Sequence, residues 1–255
     1  MKICIAQTQS LKGKVHENIQ NHLKVIEQAI KLDSDLIVFP ELSITGYEPE
    51  LAKALACEVN DEIFNPFQAL ADQHGITIGA GMPTKAKDNS EGINISMLIF
   101  QPNKARLVYS KRLLHEDELP YFVSGHQQPF LNIQGKKIAL GICYETLQRA
   151  HFVNAAENNA DIYIASVAKP DRGVNKAFVH FPSITREFNT PILMSNCVGY
   201  CDNFLSNGQS SVWNNQGELM GQLDQENQGI LIYDTDLEKV DQFPLAPAIT
   251  YTQAS

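Results

Sequence analysis

The chain has 255 residues, of which 44% are hydrophobic, enough to fill one sizeable core. Its formal net charge of -9 opposes nonspecific nucleic-acid binding, which needs a basic face to displace counterions, and opposes an anionic membrane surface as a partner. The opening MKICIAQTQS has no signal-peptide apolar core, and no apolar run approaches the roughly 20 residues of a membrane helix, so a cytoplasmic protein is expected.

In chain order, the first short apolar run is Lys2–Ala6, which reads as a strand. Residues 15–31 follow with Val15, Ile19, Leu23, Ile26 and Ile30 at spacings of three and four, the pattern of an amphipathic helix. A second strand is expected at Leu36–Phe39 and a second helix over 61–74. Residues 76–109 read as consecutive strands, among them Ile76–Ala80 and Ile95–Phe100, with turn signals at Lys87-Asp88-Asn89 and Pro102-Asn103. Strand Lys137–Cys143, a helix over 147–159, strand Asp161–Val167, a weaker helical pattern over 173–189 and strand Ile192–Asn196 come next. Residues 205–235 again read as neighbouring strands, including Ser210–Trp213 and Gly229–Tyr233, with turns at Asn207-Gly208 and Asn214–Gly217. Alternation of strand and helix, broken by two stretches of adjacent strands, predicts a layered α/β fold with mixed sheets. No Pro/Gly/Ser-rich linker divides the chain, so residues 1–255 read as one domain with an irregular tail from about Phe243.

The five cysteines, Cys4, Cys57, Cys143, Cys197 and Cys201, are irregularly spaced and form no zinc-site pattern, so each reads first as a small buried hydrophobe. Three polar residues stand out because each ends a strand. Glu41 follows Leu-Ile-Val-Phe-Pro, where proline stops the strand and a carboxylate comes next at its carboxyl end. Lys111 follows Leu-Val-Tyr-Ser. Cys143 ends the most hydrophobic strand, just before a helical pattern, where backbone N–H groups favour a thiolate and hold a developing oxyanion. Taken singly, each also fits a plain role: a buried thiol, a turn or cap carboxylate, a solvated lysine.

Together the segments resemble the nitrilase, or carbon–nitrogen hydrolase, superfamily. Phe39-Pro40-Glu41-Leu42 followed by Thr45-Gly46-Tyr47 resembles its glutamate motif, Tyr109-Ser110-Lys111-Arg112-Leu113-Leu114 its lysine motif, and Gly141-Ile142-Cys143-Tyr144-Glu145 its cysteine motif, in the family's order. The stretch from Glu118 to Gly125 resembles that of the second glutamate, and Asn196–Gly199 and Gly208–Gly217 resemble later strands. The resemblance implies a four-layer α-β-β-α sandwich with two mixed sheets and a homodimer or higher homo-oligomer. It implies hydrolysis of a non-peptide carbon–nitrogen bond in a small linear amide or N-carbamoyl compound, without metal or organic cofactor. Cys143 would be the nucleophile, Glu41 the general base, Lys111 and the Tyr144 N–H the oxyanion donors, and Glu118 the residue orienting Lys111 or the substrate amine. A non-catalytic scaffold and an ammonia-supplying glutaminase-type partner are the alternatives.

The sequence departs from the family pattern at Glu145, where aspartate is common, and at Ala168-Lys169-Pro170, where an aromatic residue and proline are common. Lys169 is therefore a candidate for binding a substrate carboxylate, against the plainer reading of a solvent-facing lysine. A papain-type cysteine–histidine pair is the rival activation scheme. His151 is expected on the surface of the following helix, and His115 at the surface or the pocket mouth.

Overall fold

A computed structural model describes residues 1–87 and 92–246. In chain order the elements are β1 (Lys2–Gln7), α1 (Val15–Lys31), β2 (Leu36–Val38), the single turn α2 (Ala52–Leu55), α3 (Asn65–His74), β3 (Thr77–Lys85), β4 (Ile93–Phe100) and β5 (Leu107–Ser110). They continue with β6 (Phe130–Ile133), β7 (Lys136–Ile142), α4 (Arg149–Glu157), β8 (Ile162–Val167), α5 (Asp171–Phe188), β9 (Ile192–Asn196), β10 (Val198–Cys201) and β11 (Phe204–Asn207). The last four are β12 (Ser211–Trp213), β13 (Leu219–Gln222), β14 (Gly229–Asp234) and β15 (Lys239–Pro244).

These strands form two large mixed sheets, ordered β15-β14-β1-β2-β3-β4-β5 and β13-β12-β9-β8-β7-β6, with β10 and β11 as a separate hairpin. Period-two alternation explains the layering. On β1, Ile3 and Ile5 face the second sheet, while Cys4 and Ala6 face the helices. On β8, Ile162 and Ile164 face the first sheet, while Tyr163, Ala165 and Val167 face the other helices. Ile19, Val25, Ile26 and Ala29 of α1 and Phe67 and Ala71 of α3 cover the first sheet. Phe152 and Ala155 of α4 and Ala177, Phe181 and Ile184 of α5 cover the second. The result is the expected α-β-β-α sandwich. Among the described residues no helix is long and apolar enough to cross a membrane.

Two buried hydroxyls fix how the sheets sit on one another. On β8, Ser166 occupies the inward face and donates from Oγ to the Phe39 carbonyl at 2.8 Å. On β9, Ser195 Oγ donates to the Ala6 carbonyl at 2.6 Å. An apolar interface alone tolerates sliding; directional bonds do not.

The weak helical pattern over 173–189 is a full helix of 18 residues, α5. Gly173 and Pro182 dilute its signal, but Val174, Ala177, Phe181 and Ile184 keep the three-and-four spacing and are buried. The elements absent from the sequence reading are mostly edge or exposed pieces. Strand β15 has no buried residue, and β6 lies at a sheet edge. β15 runs to Pro244, with Ile230 and Phe243 paired across the β14–β15 ladder. The residues beyond 246, and the Asp88-Asn89 part of the expected turn, lie outside the described residues.

Gly81 on β3 lies directly beneath the turn that carries Glu41. A methyl group there would overlap the Leu42 amide nitrogen and the Pro40 carbonyl oxygen, both backbone atoms. Gly81→Ala should therefore lower stability by about 1–3 kcal/mol, as overpacking a tight core does. Urea unfolding measures this, and an unchanged midpoint would contradict the close approach.

Candidate active site

Strand direction brings the three singled-out residues to one edge. β1, β2 and β3 are parallel, β4 reverses, and β5 reverses again, so β2 and β5 point the same way. Glu41 and Lys111 thus leave the same edge of the first sheet. β7, β8 and β9 are parallel in the second sheet, and Cys143 and Lys169 lie beyond the carboxyl ends of β7 and β8. The Ser166–Phe39 bond then sets the Glu41 turn against the β8 end.

Lys111 is fully buried, with 0% of its side chain exposed, and its ammonium lies between two carboxylates. Nζ donates to Glu41 Oε1 at 2.8 Å and to Glu118 Oε1 at 2.5 Å. The carboxylates are unequal. Glu118 also accepts from the Tyr47 hydroxyl at 3.1 Å and from the His115 backbone N–H at 2.8 Å. Glu41 Oε2 is buried with no hydrogen-bond partner among the described residues. Burial pushes the Glu41 carboxyl up to about 7, against the pull of Lys111 and with the help of Glu118. Burial would pull the Lys111 ammonium down, but Glu41 and Glu118 together overcome it and hold it above its ordinary range.

Cys143 begins the 3-10 turn Cys143–Leu147 directly after β7, with φ of 45°. A non-glycine residue in this left-handed region costs on the order of 1–3 kcal/mol and persists where neighbours over-determine it. Glu145 does so. Its Oε1 accepts from the Ile142 N–H at 2.8 Å and from the Tyr109 hydroxyl, and its Oε2 accepts from the Arg112 N–H at 2.9 Å and the Leu113 N–H at 3.3 Å. One carboxylate thereby ties the nucleophile turn to the segment following Lys111. Burial and the nearby Glu41 push the Cys143 thiol up to about 11, with Lys169 and Lys111 pulling the other way. The resting sulfur is thus a thiol, beside a carboxylate with a free oxygen.

His151 is buried, which corrects the expected surface position. The start of α4 turns it inward over β7 and β8, where its Nε2 lies 3.0 Å from the Tyr109 hydroxyl and its Nδ1 2.7 Å from that of Tyr163. With Tyr109 donating to Glu145, the chain of bonds requires a proton on Nε2. Burial lowers the His151 pKa, in keeping with a neutral ring. His151 braces the Tyr109–Glu145 bond and takes no part in a cysteine–histidine pair. His115 lies at the pocket mouth as expected, its ring 5.2 Å from that of Tyr144 and its Nδ1 2.6 Å from Asp117 Oδ1.

Lys169 is not solvent-facing. It is buried, with Nζ 3.7 Å from Cys143 Sγ and 3.5 Å from the Cys143 carbonyl oxygen. Asn196 explains its position: Oδ1 accepts from the Lys169 N–H at 2.8 Å and Nδ2 donates to the Lys169 carbonyl at 3.2 Å. The cavity above Cys143 has a volume of about 630 Å³ and is lined also by Tyr47, Glu118, Tyr144, Lys169 and Phe204. A separate cleft of about 160 Å³ beside Asn21 and His22 holds none of these groups. Among the described residues no group of three or more histidine, cysteine, aspartate or glutamate side chains is placed to hold a metal ion. The sequence reading did not assign roles to Glu145, Asn196 or Tyr109. For Glu145 the available signal was its place at the third position of a helical turn, from which a carboxylate reaches back to the preceding N–H.

Among curated proteins, the chain is 26% identical to a glutamine-dependent NAD(+) synthetase of Acinetobacter baylyi over 97% of its own length, yet it spans only 46% of that synthetase. It is 25% identical to a probable nitrilase of Schizosaccharomyces pombe, over 88% of this chain and 84% of the relative. Among solved structures, the amidase NitN of Nesterenkonia sp. AN1 superposes with a TM-score of 0.82 at 22% identity, over 92% of each chain. A mutant of the same amidase carries acrylamide added at its active site cysteine. The carbon–nitrogen hydrolase family model matches residues 2–245, and the chain belongs to that family.

Proposed function

We propose that the protein hydrolyses a small linear amide or N-carbamoyl compound through a thioester on Cys143. The observation that carries this reading is the pairing of a thiol on a strained turn with a buried carboxylate that has one free oxygen and a pKa raised toward neutrality. A carboxylate whose proton affinity is raised toward the working pH is a stronger base than an ordinary one, and its free oxygen gives it a place to take the proton.

In this reading Cys143 Sγ attacks the amide carbon while Glu41 takes the thiol proton. The new oxyanion is met by Lys111 and by the Tyr144 N–H, which lies in the first turn of the 3-10 segment, where backbone donors lack internal partners. Glu41 passes its proton to the leaving nitrogen, and ammonia or an amine departs. Water then enters, Glu41 accepts one of its protons, and hydroxide attacks the thioester. The carboxylic acid leaves and Sγ regains the proton. Glu118 holds Lys111 in place, its oxygens accepting from three donors.

A second reading is release of ammonia from glutamine for a synthetase reaction. It is favoured by the 26% identity to a glutamine-dependent NAD(+) synthetase over 97% of the chain. A non-catalytic scaffold is disfavoured by the buried Glu41–Lys111–Glu118 arrangement, which is costly to maintain without a use.

An assay of ammonia release over small aliphatic amides, ureides and glutamine separates these readings. At least one amide should turn over, and a reactive amide should label Cys143, as seen by mass spectrometry. Cys143→Ala should lose about 10³-fold or more in kcat/KM and all labelling, while Glu41→Gln should lose about 10²–10⁴-fold. Turnover of glutamine alone favours the second reading, and no labelling with no ammonia favours the scaffold.

The acid limb of the pH profile follows from Glu41. A base is competent when deprotonated, so competence is present above its raised pKa and lost as pH falls through it. Thus kcat/KM should fall about tenfold per pH unit below about 7. A limb centred near the ordinary carboxylate range would exclude Glu41 as the base.

A further inference from the structure

We propose that Lys169 recognises a carboxylate carried by the substrate, so that the amides cleaved are monoamides of short dicarboxylic acids. This rests on the amide-hydrolase reading above and names its substrate class.

The first observation is an ammonium without a counter-charge. Lys169 is buried, yet among the described residues the only hydrogen-bond contacts of its Nζ are the Cys143 carbonyl at 3.5 Å and Sγ at 3.7 Å, both long for a group with three donors. Among the described residues no carboxylate lies within ion-pair distance of it, in contrast to Lys111, which has two. Placing a cation in a buried site without an acceptor is costly unless a ligand supplies one.

The second observation is that the backbone of this residue is held on both sides. Besides Asn196, the Ser206 hydroxyl and the Asn207 N–H donate to the Lys169 carbonyl at 3.1 and 3.0 Å. Such support limits where the side chain can reach and suits a recognition group.

The third is the charge of the cavity wall. Arg172 and Lys176, on the first turns of α5, line the same cavity, are exposed, and have no ion-pair partner among the described residues. The neighbouring Asp171 accepts from the Asn175 and Asn207 side chains at 3.0 and 3.2 Å. Across the cavity, Asp117 is engaged with His115. The α5 side is therefore the positive side and steers an anion towards Lys169.

Geometry then limits the length of the substrate. With Nζ only 3.7 Å from the attacking sulfur, a carboxylate held on Lys169 is a few bonds from the carbon that Sγ attacks. The thiolate is the other anion Lys169 could serve, but the 3.7 Å from Nζ to Sγ is long for a committed contact and leaves room on the ammonium for a ligand.

Succinamate and butyramide have the same number of carbons and differ in the distal carboxylate, so their ratio of kcat/KM isolates its recognition. The unmodified enzyme should favour succinamate over butyramide, and over the longer adipamate, by at least about tenfold. Lys169→Met should collapse the succinamate preference by about 10–100-fold, mainly through KM, and Lys169→Arg should restore part of it. Because Lys169 is buried, the exposed Arg172→Glu gives a variant with little folding risk, and it should raise KM for succinamate several-fold more than for butyramide. A preference for butyramide, or an equal loss on both amides in Lys169→Met, would overturn the proposal, the latter pointing to a role on the sulfur alone. Ammonia from neither amide, with Cys143 unlabelled, would instead remove the amide-hydrolase reading beneath it.

Discussion

The Lys111 ammonium, fully enclosed between Glu41 and Glu118, is the constraint on which the rest of the site depends. A buried lysine keeps its charge where carboxylates surround it, and removing one partner from such a pair costs about 3–5 kcal/mol. Two carboxylates around one cation leave an excess negative charge, and this excess falls on the partner with fewer donors. Glu118 has three donors, whereas Glu41 has one and an oxygen left over. Burial raises the Glu41 pKa, Glu118 adds to it, and the unequal donors divide the roles of two chemically identical side chains, one fixed and one able to exchange a proton.

That arrangement acts on Cys143 only because the two sheets are held in register. Glu41 and Lys111 belong to one sheet and Cys143 to the other. Ser166 bonds across the interface to the backbone just before Glu41, and Glu145 bonds across it to the backbone just after Lys111. The same Glu145 holds the left-handed conformation of Cys143 through the Ile142 N–H. Strain at the nucleophile and alignment of the sheets thus share one carboxylate, itself braced by Tyr109, His151 and Tyr163. The one Glu145 side chain therefore spans both segments.

Lys169 adds a second buried cation with different surroundings. Lys111 is saturated by carboxylates, and its charge serves the triad. Among the described residues Lys169 Nζ has hydrogen-bond contacts only to the nucleophile's own atoms, at long distance, and the side chain lines the cavity. Where an aromatic residue would give an apolar wall, this chain places a charge, and Asn196 at the end of β9 determines where that charge points.

The sequence by itself determined the layered α/β class, most of the central strands and four of the helices, because apolar periodicity is written in local spacing and central strands are apolar on both faces. It also determined Glu41, Lys111 and Cys143 as the residues to examine, since each closes a strand in a distinctive local sequence. Edge strands such as β15, with its exposed alternation, left too little apolar signal. Only the tertiary structure decided the rest. The inward turn of His151, the bridging role of Glu145 and the burial of Lys169 are all set by contacts between segments far apart in sequence. Lys169 shows this most clearly. Its own neighbours in sequence fit a surface lysine as well as a recognition group, and the choice is made by Cys143, 26 residues before it, and Asn196, 27 residues after it.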